Sequence, residues 1–274
     1  MNIGVCVTHA GSNMEQAFQA ITEQGFRHCQ LLSWDTTLWT DEQAAAVAAA
    51  RDKAGVEITA FWCGWRGPTI WNFYEGQETL GLVPETYRFE RMMDLMNGAD
   101  FAKKLGIVDV ATHIGFIPEN PFDTRYHGLI TALKIVAEHI KANGQYLLFE
   151  TGQETPVTLL RAFEDIGTGN LGVNLDPANL VMYGKANPVD ALDVFGKYVR
   201  GMHGKDGRYP VDGRNLGAET PLGSGKVDFP ALLKQLKALG YDGSITIERE
   251  ISGEQQLADI KAGKAFLQAI IDQL

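Results

Sequence analysis

The stretch Gly240-Tyr241-Asp242-Gly243-Ser244-Ile245-Thr246-Ile247-Glu248-Arg249-Glu250 decides how the chain is read. An apolar helix end, Leu236 to Leu239, runs into Gly240. Glycine is the usual residue just past a helix C-terminus, where the backbone turns left-handed. Asp242-Gly243 then opens a strand, Ser244 to Ile247, rich in β-branched residues. The strand ends on a carboxylate, Glu248. Helix, tight turn, strand and terminal acid make one unit of a βα-barrel, where the chemistry sits at the carboxyl ends of the strands. Three more predicted strands end in the same manner: Tyr146-Leu147-Leu148-Phe149-Glu150, Leu171-Gly172-Val173-Asn174-Leu175-Asp176 and Val199-Arg200-Gly201-Met202-His203. Two Glu, one Asp and one His at matching positions form a candidate metal site. Carboxylate oxygens with one imidazole suit Mn²⁺, Mg²⁺, Co²⁺ or Zn²⁺. Taken singly, each has a plainer role, because a strand-end carboxylate can cap the next helix.

Outward from that stretch, strand and helix patterns alternate along the whole chain. Strand one is predicted over Asn2 to Val7, strand two over His28 to Ser33 and strand three over Glu57 to Trp62. Strand four covers Ile107 to Thr112 and ends at His113. Ser12-Asn13-Met14-Glu15 and Ser252-Gly253-Glu254-Gln255 read as helix-capping boxes, and Thr40, Thr155 and Asn187 as N-caps, the last two followed by Pro. A helix over Glu85 to Leu105 carries Phe89, Met92, Met93, Leu95 and Met96, a stripe expected to face the core. Two long segments interrupt the alternation. One, Arg66 to Val83, is aromatic and is expected to lie over the barrel mouth. The other runs from Gly204 to Asp228. Eight strand–helix units without a composition break predict one domain over residues 1–274, a parallel (β/α)₈ TIM barrel. The alternative, an open doubly wound sheet, lacks its usual G-x-G-x-x-G loop after strand one.

Composition narrows the function. The 45% hydrophobic content supports a full core, and no apolar run is long enough to span a membrane. The formal net charge of −10 disfavours binding to a nucleic acid backbone. The N-terminal segment has neither the basic region nor the long apolar stretch of a signal peptide. Cys6, Cys29 and Cys63 form no C-x-x-C pair and read as buried, reduced thiols of a cytoplasmic protein.

The half from about residue 145 to 249 resembles the xylose isomerase-like superfamily of sugar isomerases and epimerases. The matching pieces are Phe149-Glu150, Leu175-Asp176-Pro177-Ala178-Asn179-Leu180, His203-Gly204-Lys205-Asp206-Gly207, Leu222 to Phe229, and Gly240 to Glu250. The tagatose 3-epimerase-like and inositol-catabolism-like members are the most similar. The resemblance implies a (β/α)₈ barrel of this type with one divalent metal on Glu150, Asp176, His203 and Glu248. It implies Glu150 and Glu248 as the acid–base pair, a small sugar-like substrate and a dimer or tetramer. Chemistry supports the pair: moving a proton beside a carbonyl needs a base and stabilisation of the enediolate. His113, Lys205, Arg208, Trp34, Trp62 and Asn179 are the expected substrate-binding residues. Asn179 stands where many tagatose 3-epimerase-like members have a substrate-binding His, a departure from the free-ketose pattern. A lyase acting on a keto-sugar would use the same first proton abstraction. Endonuclease IV, a superfamily member with three zinc ions, needs histidines this chain lacks: Asp176-Pro177-Ala178-Asn179 holds Asn where that enzyme has His.

Overall fold

The structure, a computed structural model, describes residues 1–274. Eight strands, β1 (Asn2–Thr8), β2 (His28–Ser33), β3 (Glu57–Cys63), β4 (Asp109–Thr112), β5 (Tyr146–Glu150), β6 (Leu171–Leu175), β7 (Val199–Gly204) and β8 (Ser244–Ile247), close a barrel in sequence order. All neighbours pair in parallel, and β1 closes on β8 with Asn2 beside Ser244 and Val5 beside Ile247. The principal helices are α1 (Met14–Glu23), α2 (Asp41–Ala54), α3 (Glu85–Lys104), α4 (Thr124–Ala142), α5 (Pro156–Ile166), α6 (Pro188–Phe195), α7 (Phe229–Ala238) and α8 (Glu254–Ile271). Two short helices, Gly76–Thr79 and Pro177–Met182, lie in the connections after β3 and β6. No helix is long and apolar enough to cross a membrane.

The strands read as apolar runs because both faces are covered. Leu147, Leu148 and Phe149 of β5 are all buried, and so are Leu129, Leu133 and Val136 of α4. Polar exceptions inside the barrel, Gln30, Asn174 and His203, hydrogen bond to one another across it. The cysteines are free thiols, with Cys29 and Cys63 buried.

Three predicted caps form: Thr40, Thr155 and Asn187 accept from the backbone N–H of Gln43, Thr158 and Val189. The two capping boxes do not. The N-cap of α1 is Asn13 and that of α8 is Gly253, each one residue later than its box requires, and neither makes a side-chain cap. A 3₁₀ turn over Gly11–Asn13 absorbs Ser12, and Gly253 takes a positive φ of 84° that sets Ser252 outside the helix.

The stripe expected on α3 is also displaced. Phe89 is 73% exposed and Met93 is 38% exposed, while the inward face is Arg91, Asp94, Leu95, Gly98, Ala99, Phe101 and Ala102. Two charged residues on that face hid it from a hydrophobicity reading. Their partners are in the connection after β3. Arg91 donates to four backbone carbonyls, those of Arg66 (3.2 Å), Pro68 (2.9 Å), Thr79 (2.8 Å) and Gly81 (2.7 Å). Its guanidinium also lies over the rings of Tyr87 and Trp65. Asp94 accepts from the backbone N–H of Arg66 at 3.0 Å and pairs with its guanidinium at 2.8 Å. The long segment is therefore gripped at both ends by one helix face. The connection after β7 has its own anchor. Asp206 accepts from the backbone N–H of Gly207, Gly223, Gly225 and Val227 at 2.8 to 3.1 Å. A Cβ on Gly225 would meet the Asp206 carboxylate at 2.1 Å, which requires glycine there.

Replacing Arg91 with Met should leave four carbonyls without their donor. At about 1–3 kcal/mol per unsatisfied buried group, the loss should exceed about 3 kcal/mol. Denaturant melts check the magnitude, and limited proteolysis should gain cleavage sites within residues 66–83.

Candidate metal centre and cleft

The four strand-end residues converge. Glu150 ends β5, Asp176 and Glu248 follow β6 and β8 directly, and His203 is the last residue but one of β7. One ligand-type atom from each lies within 4.8 Å of the others, and this is the one such cluster of three or more acidic, His or Cys side chains in the chain. His203 Nδ1 faces all three acids, at 3.5 Å from Glu150 Oε1, 3.6 Å from Asp176 Oδ2 and 3.2 Å from Glu248 Oε2. Asp176 also serves the fold, since its Oδ1 caps the short helix by accepting from the Asn179 N–H at 2.8 Å. Its Oδ2 and His203 Nδ1 are buried without a hydrogen-bond partner. Three carboxylate oxygens and one nitrogen, two of them unpaired in a buried cluster, fit a divalent cation.

Neighbouring cations hold the two glutamates ionised. Burial alone would push Glu150 up, but His203 and His113 outweigh it and hold the carboxyl well below the usual range. Its Oε1 lies 3.2 Å from His113 Nε2, and its Oε2 accepts from Asn174 Nδ2 at 3.2 Å and from the Trp62 indole N–H. Glu248 is likewise opposed by burial but is held at about 2 by Lys205 and His203. Lys205, itself buried, donates to Glu248 Oε2 at 2.9 Å and lies 3.2 Å from Glu250 and 3.6 Å from Asp176.

Glu150 and Glu248 open onto a cleft of about 580 Å³. Trp34, Trp62, His113 and Asn179 line it, as expected from the sequence, together with Thr69, Trp71 and Tyr183. Trp34 packs on Trp62 at 5.0 Å and on Trp65 at 5.2 Å, and Trp71 stands edge-on to His113 at 5.1 Å. The segment after β3 thus does reach the mouth, through Thr69 and Trp71, whereas Trp65 is buried beneath it. Arg208 is not brought in. It is exposed, outside the cleft lining, because its backbone pairs with Ala218 along the ribbon after β7.

Three polar residues of the barrel end escaped the sequence reading. Gln30 and Asn174 support His203 and Glu150 from within the barrel. Their signal was present: each is the one amide side chain of its strand, Gln30 in His28–Ser33 and Asn174 in Leu171–Leu175. Glu154 is the third, buried with both oxygens unpartnered. Burial raises its carboxyl to about 7 against an ordinary 4.5.

A family described as the xylose isomerase-like TIM barrel matches residues 18–270. A crystal structure of a xylose isomerase domain protein from Planctomyces limnophilus is 33% identical. The match covers 99% of this chain and 98% of that one, with a TM-score of 0.92. A D-tagatose 3-epimerase-like protein of solved structure shares the fold at 21% identity, over 99% and 97% of the two chains, with a TM-score of 0.75. A further relative, an uncharacterized protein of Methanocaldococcus jannaschii, is 33% identical over 97 residues, 35% of this chain and 31% of that protein's length.

Glu154 generates a test. A carboxyl whose pKa is raised on folding adds stability that is full below about pH 4.5 and lost as pH rises to about 7. Relative to Glu154→Gln, the wild type should lose on the order of 3 kcal/mol across that window. Paired urea melts at both ends measure it, and the difference between the two proteins removes the opposing acid titrations they share.

Proposed function

Since the chain belongs to the xylose isomerase-like TIM-barrel family, we propose that it is a divalent-cation-dependent isomerase or epimerase. Its substrate is a sugar or a related polyhydroxy carbonyl compound. The observation that carries this reading is the convergence of Glu150, Asp176, His203 and Glu248 within 4.8 Å, two of them opening onto an indole-walled cleft. Bound there, the cation would polarise the substrate carbonyl and offset the charge of the enediolate.

The remaining chemistry falls to the chain's own side chains. Glu150 is fixed by three groups, Trp62, Asn174 and His113, so its orientation is set before substrate arrives. Glu248 is held by Lys205 and is more exposed than Glu150, at 14% of its side chain against 3%. Both carry their negative charge and can accept a proton from the carbon beside a carbonyl. In this reading one ionised glutamate removes that proton and later releases it to solvent, while the other, having taken up a proton from solvent, delivers that one to the enediolate. Delivery to the opposite face of the same carbon gives an epimer, and delivery to the neighbouring carbon gives an isomer. Trp34, Trp62 and Trp71 present apolar faces for a sugar ring, while His113 and Asn179 offer polar contacts at the same wall.

A keto-sugar lyase shares the first abstraction and differs only in what leaves afterwards, so product analysis separates it. The endonuclease IV-like alternative needs three zinc ions and is separated by metal count.

Protein purified without chelator should carry one divalent ion per chain by elemental analysis, and three zinc ions would move the assignment to the nuclease branch. Glu150→Gln and Glu248→Gln should each lower turnover by about 10²–10⁴-fold, the usual range for positioned acid–base groups. Metal content is measured on the same samples, because Gln is a poorer ligand. Ketoses, aldoses, inososes and 3-keto-glycosides form the substrate screen. In D₂O, solvent deuterium should enter beside the carbonyl of product or recovered substrate. Both variants keeping metal and full activity would sink the assignment.

A further inference from the structure

Gln30 of β2, Asn174 of β6 and His203 of β7 meet in the middle of the barrel, all nearly without exposure. Gln30 Nε2 lies 2.9 Å from Asn174 Oδ1, Asn174 Nδ2 lies 3.2 Å from Glu150 Oε2, and Gln30 Oε1 lies 2.8 Å from His203 Nε2. Each amide could in principle be turned over, and the imidazole could carry its proton on either nitrogen. The carboxylate removes that freedom. Turned over, Asn174 would point a carbonyl at Glu150 Oε2, setting two acceptors together in a dry interior. Asn174 must therefore direct its NH₂ at Glu150 and its carbonyl at Gln30. Gln30 must then donate from Nε2, which leaves Oε1 facing the histidine. An acceptor there requires a proton on His203 Nε2. Asn174 Nδ2 also comes within 3.1 Å of His203 Nε2. With both nitrogens bearing protons, that approach is packing and not a hydrogen bond.

We propose that Gln30 and Asn174 are positioning residues, a relay that starts at the Glu150 carboxylate and fixes the proton of His203 on Nε2. A cation that displaces the Nδ1 proton would leave the Nε2 proton in place, and the freed Nδ1 lone pair can then join Glu150, Asp176 and Glu248 on it. The relay stands on hydrogen-bond geometry alone. Its consequence for metal affinity rests on the functional reading given above. Outer partners of this kind typically change metal affinity by about 10–100-fold when removed.

The test uses full-length protein labelled with ¹⁵N-histidine, with and without Zn²⁺, a diamagnetic probe. Long-range ¹H–¹⁵N correlation spectra should show a proton on His203 Nε2 in both states, and Zn²⁺ should alter Nδ1 alone. Gln30→Leu removes the acceptor. Asn174→Asp keeps the shape but sets a carboxylate against Glu150 and breaks the chain at its other end. Both should bind Zn²⁺ about 10–100-fold more weakly by chelator competition and should speed solvent exchange of the Nε2 proton. Circular dichroism melts on the same samples identify a variant that fails to fold, and the wild-type spectrum then decides alone. Zn²⁺ bound through Nε2, or an Nε2 without its proton, overturns the relay, as does wild-type affinity with unchanged exchange in both folded variants. If no divalent ion binds the wild type, the functional reading fails, while faster solvent exchange of the Nε2 proton in Gln30→Leu and Asn174→Asp, or its absence, still decides the relay.

Discussion

Three carboxylates brought within 4.8 Å of one another and of one imidazole, at a nearly dry barrel end, repel unless positive charge stands among them. The surroundings of the site follow from that constraint. Lys205 reaches Glu248, Glu250 and Asp176, His113 reaches Glu150, and His203 is placed against all three ligand acids. Burial depresses the charge of a lysine or histidine, yet His203 and Lys205 are both held well above their ordinary values because the acids outweigh it. A divalent cation bound there would concentrate the same compensation in one small body and would free His203 Nδ1 from its proton. The buried acids and the cation they invite are thus two sides of one electrostatic balance.

Much of this was legible in the sequence, and, apart from the two capping boxes and Glu154, the misses share one physical cause. Acids and a His at strand ends are visible because a βα-barrel unit repeats, so position along the chain maps onto position around the barrel. The caps Thr40, Thr155 and Asn187 were legible because their bonds are local. Errors arose where a residue's partner lies far along the chain. Arg91 and Asp94 were passed over, because their partners, the carbonyls of Pro68 and Gly81 and the Arg66 backbone, lie far from them along the chain. Gln30 and Asn174 are separated by 144 positions, and only the closed barrel brings them together. Arg208 shows the reverse error, proximity in sequence to His203 without proximity in space.

The grip of α3 on the segment after β3 links stability to the shape of the cleft wall. Trp71 belongs to that segment, and Trp65, just before it, packs against Trp34 at 5.2 Å. A neutral residue at position 91 would have no set of donors for four carbonyls. Arg91 stays charged although burial lowers its guanidinium to about 10. The cost of burying that charge is offset by four carbonyl dipoles, with the charges of Asp94 and Glu90 adding to them, so the segment keeps its shape. The indole wall is therefore pre-formed, and substrate entry need not order it.

Asp176 shows why strand ends suit such a site. A residue that follows a strand and precedes a helix faces two demands: unsatisfied N–H groups of the new helix and the open end of the barrel. Asp176 meets both, with Oδ1 on the Asn179 N–H and Oδ2 turned to His203. The bond through Oδ1 fixes the side-chain torsion, so Oδ2 is aimed without further support. The Pro at position 177 reinforces this, because its ring presets the helical φ and removes a competing N–H donor. A helix start at this position is therefore part of how the ligand is aimed, and a substitution that kept the charge but shifted the cap, such as Asp to Glu, would lose the aim while keeping the acid.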